Sequence, residues 1–295
     1  MKQGKNARGR LLAAMVIFGT IGVFVRSVPL ASGEVALYRA VFAAVFLGGV
    51  LFATKQGLPL KKMKKELPLL LLSGAALGFN WICLFEAYKY TTVSAATLSY
   101  YFAPVLVTLA CPFLFHEKLG AKQWLCFAMS TLGIVLITGI GDTGKSDTHF
   151  VGILFGLGAA ILYAAVVLLN KLLKNVKGLH RTMLQFAAAA FVLLPYVGFT
   201  SGFHLETLDG RGWSSLLVLG LVHTGIAYCL YFSSLKELPG QKVAILSYLD
   251  PLVAVAMSVT VLGEAMTPWQ IAGGVLILGS TLWNELSPKK DGVDS

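Results

Sequence analysis

The second half of this chain repeats its first. Ser99-Tyr100-Tyr101-Phe102-Ala103-Pro104 runs on to Glu117 and Gln123. Leu246-Ser247-Tyr248-Leu249-Asp250-Pro251 runs on to Glu264 and Gln270 with the same spacing of Pro, Glu and Gln. Each copy sits inside a long apolar run. Duplicated membrane halves that rock about a shared site are the usual build of secondary transporters, so the repeat points to moving a solute rather than transforming one.

Composition agrees. Of 295 residues, 56% are hydrophobic and 13% charged, against roughly 25% charged in soluble domains. No soluble globule hides that much apolar surface. The net charge of +10 is confined to short loops, with no basic stripe interleaved with aromatics, so nucleic acid is excluded as a partner. Cys83, Cys111, Cys126 and Cys229 lie inside apolar runs and form no C-x-x-C pair, so no metal or redox cofactor is expected. The basic residues Lys2, Lys5, Arg8 and Arg10 precede an apolar run as in a signal peptide. A second run follows at once after Arg26, however, and an uncleaved first span is the better reading.

A helix crossing the hydrocarbon core needs about 20 apolar residues. Ten candidate spans follow: Leu11–Val28, Glu34–Ala53, Leu67–Tyr88, Ser94–Phe115, Ala121–Ile140, Val151–Leu172, Leu179–Phe199, Trp213–Leu235, Val243–Leu262 and Trp269–Leu286. Backbone groups in lipid must be satisfied within the segment, and the runs lack period-two alternation, so each is expected to be a helix. The N-terminal basic residues, Lys55, Lys61, Lys62, Lys64, Lys65, Lys118, Lys122, Lys171, Lys174, Lys177, Arg181, Lys236, Lys242, Lys289 and Lys290 fall on one face. Only Lys89, Lys145 and Arg211 fall in loops on the other. The positive-inside rule puts both termini in the cytoplasm of a cell-membrane protein. Ten spans divide into five plus five, at 1–145 and 146–295. Because five is odd, the second copy is inverted.

Helix contacts are expected at Gly74-x-x-x-Gly78 and Gly152-x-x-x-Gly156. Pro104 and Pro251, inside spans four and nine, are expected to kink their helices and free a carbonyl.

With Tyr38-Arg39 in the second span and the paired Pro…Glu…Gln signatures, this architecture resembles the drug/metabolite transporter superfamily, most closely its EamA-type exporters. The resemblance covers essentially the whole chain. It implies an all-α bundle of ten helices around a central cavity, alternating access, and export of amino acids or other small metabolites from bacteria.

Ionisable residues at membrane depth are rare and are functional candidates by default. Arg39 either holds a substrate carboxylate or forms a structural salt bridge. Glu34, about 140° around the helix from it, reads as a snorkelling boundary residue. Asp250, whose repeat partner is Ala103, either binds a substrate amine or coupling proton, or pairs with Arg39 or Lys242. Glu86 is followed by Lys89 at i+3, so it is either half of a local pair or a cavity residue. His223 either couples protons or packs. Glu86, His223 and Asp250 are thus the candidates for a coupled H+. Glu117 and Glu264, matched in the repeat, read as caps or loop partners.

Asn80, Trp81, Tyr101 and Tyr248 complete the candidate binding set. Tyr101 and Tyr248 are repeat equivalents, each three residues before its proline. Tyr100 and Tyr228 lie in the same spans. Trp124, Trp213, Trp269 and Trp283 read as interface anchors. Small solute and bilayer are the expected partners of a monomer or weak homodimer. No H-E-x-x-H, G-x-S-x-G, Walker loop or filter sequence supports the alternatives, a membrane enzyme or an ion channel.

Overall fold

The computed structural model describes residues 2–57, 60–115, 119–138, 147–176, 178–235 and 237–286. Among these the chain is helical, with no strand. The helices are α1 Lys2–Gly19, α2 Ile21–Arg26, α3 Ser32–Ala53, α4 Leu60–Tyr90, α5 Val93–Tyr100, α6 Ala103–Phe115 and α7 Ala121–Thr138. The second half holds α8 Asp147–Leu172, α9 Gly178–Thr200, α10 Gly210–Leu217, α11 Ala227–Leu235, α12 Gly240–Ser247, α13 Leu249–Thr260 and α14 Pro268–Glu285.

Eight helical stretches are long and apolar enough to cross a membrane, and Ile245–Thr260 forms a shorter apolar helix. The chain is therefore an all-helical, multi-pass membrane protein. The ninth expected span, Val243–Leu262, is shorter than expected: it is interrupted at Tyr248, between α12 and α13, and stops at Thr260. α14 lies over the tenth expected span but is not among the eight. α4 begins at Leu60, seven residues before the expected start, so its first turns carry lysines ahead of the apolar run.

The helices are interrupted just before Pro104 and Pro251, at residues 101–102 and at Tyr248. Proline lacks the N–H that would continue the ladder and restricts the residue before it, but it fits a helix's first turn. Pro104 is the second residue of α6 and Pro251 the third of α13. The preceding tyrosines close the helices before them with nearly equal backbone angles: φ −70°, ψ 5° at Tyr101 and φ −68°, ψ −9° at Tyr248. The sequence repeat is thus a repeat of backbone shape.

α4 packs between α8 and α9, α3 lies on α9, and α7 lies on α14, while α1 crosses α11 and α13. Close crossings use glycine, as the small-residue motifs require. A Cβ on Gly74 would sit 2.5 Å from the Ala188 Cβ, and one on Gly152 would sit 2.6 Å from Thr91. α7 meets α14 the same way: a Cβ on Gly133 would stand 2.7 Å from the Gly273 carbonyl. Beside that contact the hydroxyls of Ser130 and Ser280 bond at 2.6 Å. Leu37, Phe85, Phe186, Leu193 and Leu219 centre the main core.

Between α10 and α11, Val218–Ile226 winds as a π-helix. His223 and Thr224 direct side-chain bonds to carbonyls five residues back, on Val218 and Leu219. α3 wedges against this wide turn. A Cβ on Gly220 would lie 2.6 Å from Phe42, and one on Gly225 would lie 2.5 Å from Phe46. Single π turns frequently mark functional sites. Here the turn holds Thr224 against α3.

Candidate functional site

The breaks in α1–α2, α5–α6 and α12–α13 surround one interior cavity with two lobes. The smaller, about 140 Å3, lies among Gly19, Gly22, Arg39, Trp81, Thr97 and Ala254. The larger, about 280 Å3, reaches Met15, Pro104, Tyr231, Ser247 and Tyr248. Phe18, Tyr100, Tyr101, Tyr163, Tyr228 and Asp250 line both. Helices of both halves contribute. The wall includes the expected Arg39, Asn80, Trp81, Tyr101, Tyr248 and Asp250.

Asp250 and Tyr101 meet across the halves. The Tyr101 hydroxyl donates to Asp250 Oδ2 at 2.6 Å. Asp250 forms no ion pair with Arg39 or Lys242 among the described residues, so the paired alternative does not hold. Carboxylate-bound hydroxyls are among the stronger hydrogen bonds, and this one holds the acid at the junction of the lobes.

Arg39 is buried and also unpaired with any described carboxylate. Its Nε donates to Thr224 Oγ1 at 2.6 Å, and its guanidinium lies 4.4 Å from the Trp81 ring centre and 5.7 Å from that of Phe85. Stacking on ring faces is how a desolvated guanidinium is held without a counter-ion. In place of the salt-bridge alternative, a π-turn hydroxyl and two aromatic faces hold it.

The remaining candidates are placed as follows. Asn80 Nδ2 donates to the Ala159 carbonyl at 2.6 Å, tying α4 to α8 at the cavity edge. His223 is buried beside the cavity without lining it. Its Nε2 meets Thr20 Oγ1 at 2.8 Å, in the break between α1 and α2. Glu86 pairs with Lys89 at 2.9 Å, away from the cavity. Glu34 does not snorkel. It is buried and takes the His204 N–H at 2.7 Å and the Ala31 N–H at 3.3 Å, fastening the start of α3 to the loop before α10. Trp124, Trp213, Trp269 and Trp283 are exposed on the outer surface. Glu117 lies outside the described residues.

Glu264 closes one end of the seam. Its Oε1 pairs with Arg26 at 2.9 Å, and its Oε2 accepts the Val93 N–H at 2.8 Å and the Ser258 hydroxyl. Arg26 also reaches the Thr91 carbonyl at 2.7 Å. Ser94 N–H donates to Ser258 Oγ at 3.3 Å. From this seal to Asp250 the walls run in steps of one helical turn: residues 93 and 97 on α5 with Tyr101 at its end, and 258, 254 and 250 on α13.

Phe18, Tyr163 and Tyr231 line the cavity and were not singled out from the sequence. Tyr163 lies in α8, where the repeat is weak, and its one legible signal is a phenol inside an otherwise apolar run. His/Cys/Asp/Glu groups able to hold a metal are absent among the described residues.

The EamA-like transporter family model matches this chain twice, over residues 10–139 and 150–285. The chain belongs to the EamA-like transporter family. A Bacillus subtilis protein described as an uncharacterized transporter, YxxF, is 34% identical over 277 residues, 94% of this chain and 88% of that one. An Archaeoglobus fulgidus uncharacterized transporter is 28% identical over 97% of this chain and 98% of its own length. A Salmonella typhimurium protein described as a probable amino-acid metabolite efflux pump is 29% identical over 75% of this chain and 77% of its own. A crystal structure with 16% identity shares the fold at a TM-score of 0.62, covering 94% of this chain and 95% of that one. These likenesses make the EamA-like chain a membrane transporter of drug/metabolite type. They also give the interior cavity a context: it sits where both matched halves contribute walls.

Proposed function

We propose that this EamA-like protein is a secondary transporter that exports a small metabolite from the cytoplasm by alternating access. Two inverted five-helix repeats, 1–145 and 146–295, would make up ten spans in the cell membrane, with both termini inside. The observation that carries this reading is an unequal pair of ends. The seam between α5 and α13 is sealed at the Arg26–Glu264 end. The larger lobe lies toward the opposite end, near Met15 and Tyr231. By the positive-inside rule the sealed end is external. This is the arrangement of an inward-facing carrier, and a closed end argues against a continuous pore. The name of the Salmonella relative, a probable amino-acid metabolite efflux pump, supports a small amine-bearing metabolite, an amino acid or a product of one, as the class of cargo.

Of Glu86, His223 and Asp250, only Asp250 lies in the cavity wall, so it is where a coupling proton would exchange. Proteoliposome flux that ignores an imposed pH gradient removes H+ coupling from the reading.

Topology and access are tested without knowing the cargo. Reporter tags after residues 120 and 265 are expected on opposite membrane faces. Tyr231→Cys, with the four native cysteines replaced, is expected to react with an impermeant thiol reagent in inside-out vesicles. Both tags on one face, or labelling of residue 231 only from outside, overturns the proposal.

A further inference from the structure

The larger lobe has a chemistry of its own. Tyr100, Tyr101, Tyr163, Tyr228, Tyr231 and Tyr248 face it, and among the described residues Asp250 is its one carboxylate. No lysine, arginine or histidine among the described residues lines it. The rings are held in place by one another. Tyr100 stands edge-on to Tyr101 with centroids 5.9 Å apart and meets Tyr163 at 5.4 Å. Phe18 stands edge-on to Tyr228 at 5.2 Å.

Asp250 uses Oδ2 for the Tyr101 bond and takes no other hydrogen bond from a described residue. Arg39, the one arginine among the described residues of the wall, is in the smaller lobe, where its Nε donates to Thr224 and its guanidinium lies over Trp81. An anion entering the larger lobe would meet ring faces, which are negative, and a carboxylate. A cation would meet the same groups with attraction from both.

We propose that the larger lobe binds an organic cation, an amine carrying an apolar or aromatic body. Asp250 meets the charge and the tyrosine rings hold the body. The inference rests on the transporter reading and names the cargo class of that site. A zwitterion is disfavoured because, among the described residues, no cationic side chain lines the larger lobe to meet its carboxylate.

Three probes share a phenyl ring and differ in charge: phenethylamine, phenylalanine and 3-phenylpropionate. Binding to the purified full chain is measured at neutral pH by titration calorimetry and by thermal stabilisation. Phenethylamine is expected to bind at least about tenfold more tightly than the other two, a difference that calorimetry resolves. Asp250→Asn is expected to remove that preference. Tyr163→Leu is expected to weaken phenethylamine, and Tyr163→Phe to retain it, which separates loss of the ring from failure to fold.

Equal or tighter binding of phenylalanine or phenylpropionate overturns the proposal, as does phenethylamine affinity that survives Asp250→Asn, or no binding by any probe. Each of those results leaves the topology and thiol-access tests untouched, so failure of the cargo class is distinct from failure of the transport reading.

Discussion

Tyr101 and Asp250 are 149 positions apart and share a 2.6 Å hydrogen bond where two broken helices meet. Each lies at the foot of a half-helix, and the same two half-helices are joined at their far ends through Ser258 and Glu264. The site and the seal are therefore two ends of one seam, about 12 Å apart at 1.5 Å per residue over eight residues.

Tyr101→Phe keeps the ring and deletes the bond. It is expected to cost about 0.5–1.5 kcal/mol of stability and to lower transport. In a double-mutant cycle with Asp250→Asn the two losses should not add. Thermal unfolding in detergent and proteoliposome flux read the two effects, and strict additivity would show that the pair does not act together.

Glu264→Ala removes the acceptor shared by Val93, Ser258 and Arg26. The seal, external in the proposed topology, is expected to loosen. A Thr97→Cys probe, one turn below Val93, should then react faster with an impermeant thiol reagent added outside intact cells. An unchanged labelling rate would mean that packing alone closes this end.

Glu34→Ala and Glu86→Gln should behave in opposite ways. The first leaves the His204 and Ala31 N–H groups without their buried acceptor and is expected to destabilise by about 1–3 kcal/mol. The second breaks an exposed i,i+3 pair and is expected to change stability by less than about 0.5 kcal/mol, with transport intact. Unfolding curves and flux on both variants check this contrast, and a transport-dead Glu86→Gln would return that residue to the coupling path.

Gly74→Val places branched carbons against the Gln185 carbonyl and Ala188, where a Cβ alone would approach to 2.6 Å and 2.5 Å. A loss of about 1–3 kcal/mol is expected, as for other overpacked cores. Gly48→Ala, with nothing within 4 Å of its added Cβ, should be neutral or slightly stabilising. Melting temperatures of the two variants in one detergent measure the difference.

What the sequence made legible follows a physical division. The repeat marked Tyr101, Tyr248, Pro104 and Pro251, because an apolar run has few reasons to keep a tyrosine and a proline at fixed spacing. It also marked Glu264 as a cap. Its partners could not be read: the Val93 N–H leaves no trace in residue identity, and Arg26 lies 238 positions away on a span where the repeat is weak. Arg39 was visible as a buried cation. Its partners were not, because Thr224 reaches it only through a π turn, and composition does not announce that winding. Proline suggested a bend, and each proline does follow a short interruption of its helix; that the next half-helix starts within its first turn was not legible. Tyr163 escaped because the α8 region aligns weakly between the halves.

The glycine crossings at Gly74, Gly133 and Gly152 admit no added carbon without moving backbone or a neighbouring helix, whereas the tyrosine faces border empty space. Change is thus cheap in the wall and costly at the joints. A lineage built on this frame can exchange one cargo for another by resurfacing a few rings, inheriting its moving parts intact.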